Sequence, residues 1–455
     1  MRETVAEILD AYRRGVLRPE DVVARSFARI RRHDDPAIFI ALREEADVVA
    51  EAKALTRDGD MSLPLYGIPV AVKDNIDVKG LPTTAACPAF GYRPGKDATS
   101  VAKLRQAGAL ILGKTNLDQF ATGLVGVRTP YGIARNLFDD KLIPGGSSTG
   151  SALAVGAGFA PLALGTDTAG SGRVPAAFSN IVGLKPSRGM VSCAGVVPAC
   201  RTLDCVSVLA LTVDDAIAML NVIAGPDAAD PYAHPRPVGT VGPLPNGVKL
   251  GVPLRGQRLF FGDTMSAGAY DEALARLTSL GAKIIEIDIE PFYEAARLLY
   301  DGPWVAERYL VAKALIASSP QSLHPVTRQI ILAGAHRSAA DTFTAFYQLE
   351  ELRRTAERTF QTVEALVMPT TPTIYTVEQV LADPIQLNSR LGTYTNFVNL
   401  LDLCGLAVPS SMRADGAPFG ITLLAPAGAD AALAAIGRQY HAAANLPLGA
   451  LPRGK

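Results

Sequence analysis

The chain has 455 residues, 48% hydrophobic and 19% charged, with 44 basic against 44 acidic side chains. Such a composition supplies a sizeable interior and excludes a disordered chain; at about 150 residues per domain it allows up to three domains, or one large α/β core. A formal net charge of zero gives no electrostatic reason to expect nucleic acid or an anionic membrane as partner.

The opening stretch MRETVAEILDAYRRG is charged and helical in period, with no apolar h-region, so it is not a signal peptide. Val5, Ile8, Leu9 and Tyr12 keep helical spacing within residues 3–33, a break falls at GVLRP, and Pro19 suits the first turn of a second helix. LYGIPVAVKDNI (65–76) reads as a buried strand whose apolar run ends at Lys73. SVAKLRQAGALILGKTN (100–116) reads as a helix, a glycine stop and a strand, and DEALARLTSLGAKIIEIDI (271–289) repeats that order. Residues 143–166 lack charge, but glycine, serine and proline interrupt them too often for a membrane span. Residues 225–247, dense in proline and glycine, read as a surface loop or linker, and 291–362 as a mostly helical cap or insertion. VEALVMPTTPT (363–373) returns to a strand, residues 410–426 read as a hairpin turning at Asp415–Gly416, and 429–443 as the last helix. This alternation predicts an α/β layered architecture around a mostly buried sheet, with no internal repeat.

The five cysteines, Cys87, Cys193, Cys200, Cys205 and Cys404, are odd in number and not in CxxC spacing. They argue against a disulfide framework or zinc site and for a reducing cytoplasm. No His/Cys/Asp cluster has ligand spacing, so neither a metal nor an organic cofactor is implied.

In PGGSSTGS (144–151), Gly146 to Gly150 satisfy G-x-S-x-G, the nucleophile elbow of α/β-hydrolases. The elbow needs an apolar strand before it, whereas NLFDDKL is polar and turn-like, and it needs a histidine. His33, His234, His324, His336 and His441 stand in no recognisable motif. A second serine, Ser171, lies in GTDTAGSGRVPAAF (165–178) on a bed of small residues, with Asp167 and Arg173 beside it. Without histidine, a serine nucleophile needs another base, and a lysine serves if burial disfavours its ammonium form. Lys73 is the candidate, although a lysine closing a strand is more often a snorkelling surface residue.

Taken together, GIPVAVKDNIDVKGLPTT, GKTNLDQFATG, PGGSSTGSALAVGAG and GTDTAGSGRVPAAFSNIVGLKPSRG resemble the amidase signature family, strongly over about residues 60–215 and more weakly elsewhere. The resemblance implies the amidase signature fold, a large mixed β-sheet covered by α-helices on both faces. It implies a single domain over residues 1–455, with core at about 60–215 and 363–455, a helical N-terminal segment 1–60 and the helical cap 291–362. It further implies amide hydrolysis by a Ser-cisSer-Lys triad: Lys73 as base, Ser147 as bridge and Ser171 as nucleophile. Ser148 is then a neighbour, and the elbow match a coincidence. By the same resemblance the oxyanion hole is formed by backbone amides of Thr168, Ala169, Gly170 and Ser171. Bare backbone there lets a carbonyl approach to about 3 Å of the nucleophile. Asp167 and Arg173 are expected to hold this loop by hydrogen bonding. Gly172 stands where many relatives carry a larger aliphatic residue, which implies a looser pocket floor.

AGVVPACRTLDCVSVLALT (194–212) and LLYDGPWVAERY (298–309) look like the allophanate-hydrolysing branch of that family, which serves urea and s-triazine breakdown in nitrogen metabolism. Allophanate is a urea bearing a carboxylate, and by resemblance Tyr300 and Arg308 grip that carboxylate; arginine contacts of this kind are often bidentate. Read without the resemblance, Arg308 is a surface residue of a capping helix and Tyr300 is core packing. Cys200 and Cys205 are expected to be small buried residues. Relatives of this branch often continue into a separate C-terminal domain, and this chain is expected to lack it. The implied partner is a small-molecule carboxylate substrate, with no nucleic acid or membrane, and the implied assembly is a cytoplasmic homodimer. Two other readings compete: the glutaminase subunit of a tRNA amidotransferase, and a catalytically silent scaffold of the same fold.

Overall fold

The computed structural model describes residues 3–234 and 236–450. Short apolar runs make eleven strands: β1 (Phe39–Leu42), β2 (Pro69–Lys73), β3 (Leu110–Thr115), β4 (Leu162–Asp167), β5 (Val182–Lys185), β6 (Cys205–Ala210), β7 (Lys249–Pro253), β8 (Lys283–Ile287), β9 (Ala365–Pro369), β10 (Leu403–Met412) and β11 (Pro418–Pro426). They form one sheet in the order β1-β3-β2-β4-β6-β5-β10-β11-β9-β7-β8. The sheet is mixed: β2 runs parallel to β3 and β4, while β6 is antiparallel to both β4 and β5.

Successive strand residues point to opposite faces, and both faces are covered. Leu162, Leu164, Val206, Val208, Leu406 and Val408 share one core with Val101 and Leu104 of helix Thr99–Gln106, Leu220 of Val213–Ile223, Tyr270 of Thr264–Ser279 and Ile436 of Asp430–Ala444. Ala163 and Leu209 turn the other way, onto Leu153 and Val155 of helix Thr149–Gly156. Farther along that second face, Leu366, Met368 and Leu403 meet Phe292 of Glu290–Leu298 and Leu349 of Ala339–Phe360.

The helix-then-strand units fall where the glycine stops put them: Thr99–Gln106 before β3, and Thr264–Ser279 before β8. Pro19 is the first residue of helix Pro19–His33, whose entry is tied by the Arg18 amide donating to Asp21 Oδ2 at 2.9 Å. The stretch 291–362 is helical over most of its length, and among the described residues 225–247 hold no helix or strand. Three features differ from the sequence reading. The N-terminal segment is helical over Val5–Arg13, Pro19–His33 and Glu45–Asp58, but it also contributes β1, too short to show alternation, which pairs antiparallel with β3. The hairpin arm β10 begins at Leu403, well before residue 410. Strands β4, β5, β6 and β7 escape pattern reading because they are short, almost wholly buried and carry no polar alternation.

Candidate active site

Lys73 is the last residue of β2, a strand flanked by β3 and β4 inside the sheet, and its side chain is fully buried. Its Nζ donates to Ser147 Oγ and to Thr166 Oγ1, each at 2.8 Å. Burial lowers the amine to about 7, and Arg308 adds to that effect against the opposing pull of Asp118, Asp167 and Asp204. The neutral amine so favoured carries a lone pair able to accept a proton from Ser147. Asn75 Nδ2 also donates to Thr166 Oγ1, at 3.2 Å, which fixes the second partner of Lys73.

Ser147 lies in the turn that enters helix Thr149–Gly156, and the Gly146–Ser147 peptide bond is cis. Only glycine fits before it: a Cβ at Gly146 would lie 2.1 Å from Asp118 Oδ2 and 2.7 Å from the Gly126 amide. The Asp118 carboxylate accepts from the amides of Val125, Gly126 and Arg128 at 3.1, 2.9 and 3.0 Å, so it organises the loop against which Ser147 sits. The Ser148 hydroxyl is committed elsewhere, donating to Thr166 O at 3.1 Å and accepting from Thr166 N at 3.2 Å. Among the described residues no strand leads directly into the G-x-S-x-G segment, in keeping with its polar lead-in.

Ser171 is 2% exposed. Among the described residues its hydroxyl has one partner, the Gly123 carbonyl at 3.5 Å, and makes no hydrogen bond to Ser147. The loop around it is held from beneath by Asp167, which meets Arg173 in a two-pronged ion pair, Nε to Oδ2 and Nη2 to Oδ1, both 2.9 Å, with both side chains fully buried. Burial is the largest influence and works to raise Asp167, but the Arg173 guanidinium, Lys185 and the Gly170 amide together hold the carboxyl below its ordinary value. Asp167 also accepts the Gly170 amide at 2.8 Å and the Gly172 amide at 3.1 Å. This corrects one expectation for the oxyanion segment: the Gly170 N–H is spent on Asp167, whereas the amides of Thr168, Ala169 and Ser171 have no partner among the described residues. The looser floor expected at Gly172 is also corrected, because a Cβ there would lie 2.6 Å from Ser207 Oγ. Gly170 has a φ of +120°, and a Cβ on it would meet Thr395 Oγ1 at 2.5 Å.

Arg308 is 2% exposed, on helix Val305–Ser318, and not on the surface. Its Nη1 donates to Thr122 Oγ1 at 3.0 Å and Ala121 O at 3.3 Å, and its Cζ stands 5.4 Å from the centre of the Tyr300 ring. Its Nε and Nη2 are buried without a hydrogen-bond partner among the described residues. Residues 121–123 thus touch both Arg308 and Ser171, which brings the two sequence-derived groups to one place. Cys200 and Cys205 are buried, and burial pushes the Cys200 thiol up to about 12.

Several residues of this site carry no sequence signal of their own. Thr395 Oγ1 donates to Ala169 O at 2.6 Å, and Asn399 Nδ2 donates to Asp167 O and Leu203 O, each at 2.8 Å. Asp204, within CRTLDC, accepts from the Thr168 hydroxyl and from the amides of Ala199 and Cys200, and burial raises its carboxyl to about 6. Beyond Asp204 lies a separate cavity of about 410 Å³ lined by Arg188, Arg201 and Tyr232 among others, which does not include Lys73, Ser147 or Ser171. Among the described residues no group of three or more His, Cys, Asp or Glu is placed to hold a metal ion, and no helix is long and apolar enough to cross a membrane.

A mixed sheet carrying a buried lysine on one serine, and a glycine-lined serine loop beside it, is the architecture of an amidohydrolase. The chain belongs to the amidase family, which it matches over residues 21–434. It is 48% identical over 426 residues to a urea amidolyase of Lachancea kluyveri, covering 93% of this chain and 23% of that protein. The chain therefore spans about a quarter of the length of that curated relative. A solved structure of Kluyveromyces lactis allophanate hydrolase superposes with a TM-score of 0.91 at 43% identity, over 97% of this chain and 73% of the other. A glutamyl-tRNA(Gln) amidotransferase subunit of Symbiobacterium thermophilum is 38% identical, with 94% of each chain covered.

Proposed function

We propose that this chain hydrolyses allophanate at its terminal amide, with Ser171 as nucleophile, Ser147 as bridge and Lys73 as base. The observation that carries the substrate is Arg308: a buried guanidinium with two free N–H-bearing nitrogens is costly unless an anion meets it, and a carboxylate does so with two charge-assisted bonds. Tyr300, stacked on that guanidinium, forms the adjacent wall. The relatives named urea amidolyase and allophanate hydrolase support the same substrate.

In the reaction, Ser171 Oγ attacks the terminal amide carbon while its proton passes to Ser147 and the proton of Ser147 passes to neutral Lys73. The oxyanion is received by the amides of Thr168, Ala169 and Ser171, and each donor lost from such a hole typically costs about 2.7–4 kcal/mol of barrier. Collapse breaks the C–N bond, the relay returns a proton to the leaving ammonia, and water cleaves the acyl-enzyme to a second carboxylate. Asp167 and Arg173 hold the loop and take no part in proton transfer. The same reading takes the chain as a single amidase domain that works as a cytoplasmic homodimer without metal or organic cofactor; the five cysteines, all free, suit a reducing compartment.

The test is ammonia release from allophanate, biuret, urea, malonamate and glutamine. Allophanate is expected to be turned over far faster than neutral biuret, with no release from urea or glutamine. Preference for glutamine would instead assign the chain to the amidotransferase reading that the 38% identical relative favours. No turnover of any amide, with no labelling of Ser171 by a serine-directed probe, would leave the silent scaffold.

A further inference from the structure

A second buried arginine converges on the same short segment as Arg308. Arg128 is 1% exposed and donates from Nη1 to Thr122 O at 2.9 Å and from Nη2 to Pro384 O at 2.6 Å. Its Nε is buried without a hydrogen-bond partner among the described residues. Thr122 is thus gripped twice, by Arg128 at its carbonyl and by Arg308 at its hydroxyl. The next residue, Gly123, supplies the carbonyl that faces Ser171, and a Cβ on Gly123 would lie 3.2 Å from Arg128 Nη1. Arg128 therefore packs directly behind the residue opposite the nucleophile.

Neither guanidinium is in an ion pair among the described residues; their partners are carbonyls and one hydroxyl, which satisfy N–H groups but cancel no charge. Burial lowers Arg128 from its ordinary value, with Asp118 and Tyr300 opposing and the positive charge of Arg308 adding. Asp118 near Arg128, and Asp204 and Glu307 near Arg308, offset part of these charges from a distance, and a bound anion that reaches Arg308 adds a direct charge-assisted contact.

We propose that Arg128 is a positioning residue of the anion subsite: it holds Thr122 so that Arg308 presents its free N–H groups to the substrate carboxylate, and its charge adds to the field that favours anionic over neutral amides. The inference rests on the carboxylate-substrate reading above and deepens it. No sequence motif singled out Arg128, and the signal is its convergence with Arg308 on one residue.

The test compares wild-type protein with Arg128→Gln and Arg128→Lys. Calorimetry measures binding of malonate, a non-hydrolysable dicarboxylate, and of neutral malonamide. Arg128→Gln is expected to weaken malonate binding about tenfold or more while leaving malonamide unchanged, and to raise KM for allophanate with kcat within about threefold. Arg128→Lys, which keeps the charge, is expected to recover most of the malonate affinity. Should Arg128→Gln fail to fold, Thr122→Val, which removes the hydroxyl anchor of Arg308, is expected to weaken malonate in the same direction. The proposal is overturned if the folded variants bind malonate as wild type does, if malonate and malonamide weaken equally, or if wild type binds no malonate. Wild-type protein that binds malonate yet releases no ammonia from allophanate contradicts the substrate reading alone, and the malonate comparison still decides on Arg128.

Discussion

An amine enclosed by a sheet and lowered to about 7 exchanges its proton close to neutrality, where an exposed lysine stays charged. Because the base form of Lys73 is the neutral one, kcat/KM is predicted to rise with pH through about 7 and to level above it. Ammonia release measured from about pH 5 to 9 checks this, and a profile flat or falling across neutrality contradicts it. The linkage to folding has the same sign. Between about 7 and the ordinary lysine value near 10.4, the unfolded chain holds the proton that the folded one has lost, so this residue contributes stability that increases with pH across that window. Lys73 stood out because PVAVK ends on it and Ser171 because small residues surround it, whereas Ser147 was singled out by the family resemblance. The second bond of Lys73, to Thr166, was not legible, since a threonine in a strand has many ordinary uses.

At the scale of elements, the loop between β4 and helix Arg173–Phe178 shows how a glycine-rich segment is kept rigid. Asp167 and Arg173 are six residues apart and lock both ends of it. Removing one partner of a buried ion pair strands the other, so Arg173→Ala is predicted to destabilise the fold by about 3–5 kcal/mol. Denaturant unfolding is the check; a loss below about 1 kcal/mol would mean that the pair holds nothing in place. Both residues stand in one short stretch and were legible there. Their clasp from the C-terminal half was not: Thr395 and Asn399 reach the loop across 226 and 232 residues of sequence, and polar side chains in the helix-rich run before β10 give no local sign of so distant a partner. The amide of Gly170 was misread for a related reason, because a bare backbone loop advertises free donors without showing which one its own aspartate has taken.

Across the whole molecule, one sheet joins the two halves of the chain: β5, from the serine-loop region, pairs with β10, so the strands bearing Lys73 and Asp167 share a framework with the segment that clasps them. The architecture was legible from alternating helix and strand patterns and from four ordered motifs, whereas its buried central strands were not, having no polar face to set their period. The chain covers 23% of the length of its 48% identical relative, and the amidase match, with its chemistry, lies within residues 21–434. That chemistry requires a serine without histidine to carry the acyl group. The most direct measurement is ammonia release from allophanate by wild-type protein and by folded Ser171→Ala. Release by the wild type and a fall of at least about 1,000-fold in the variant are expected; near-normal release by Ser171→Ala would contradict a nucleophile at this serine.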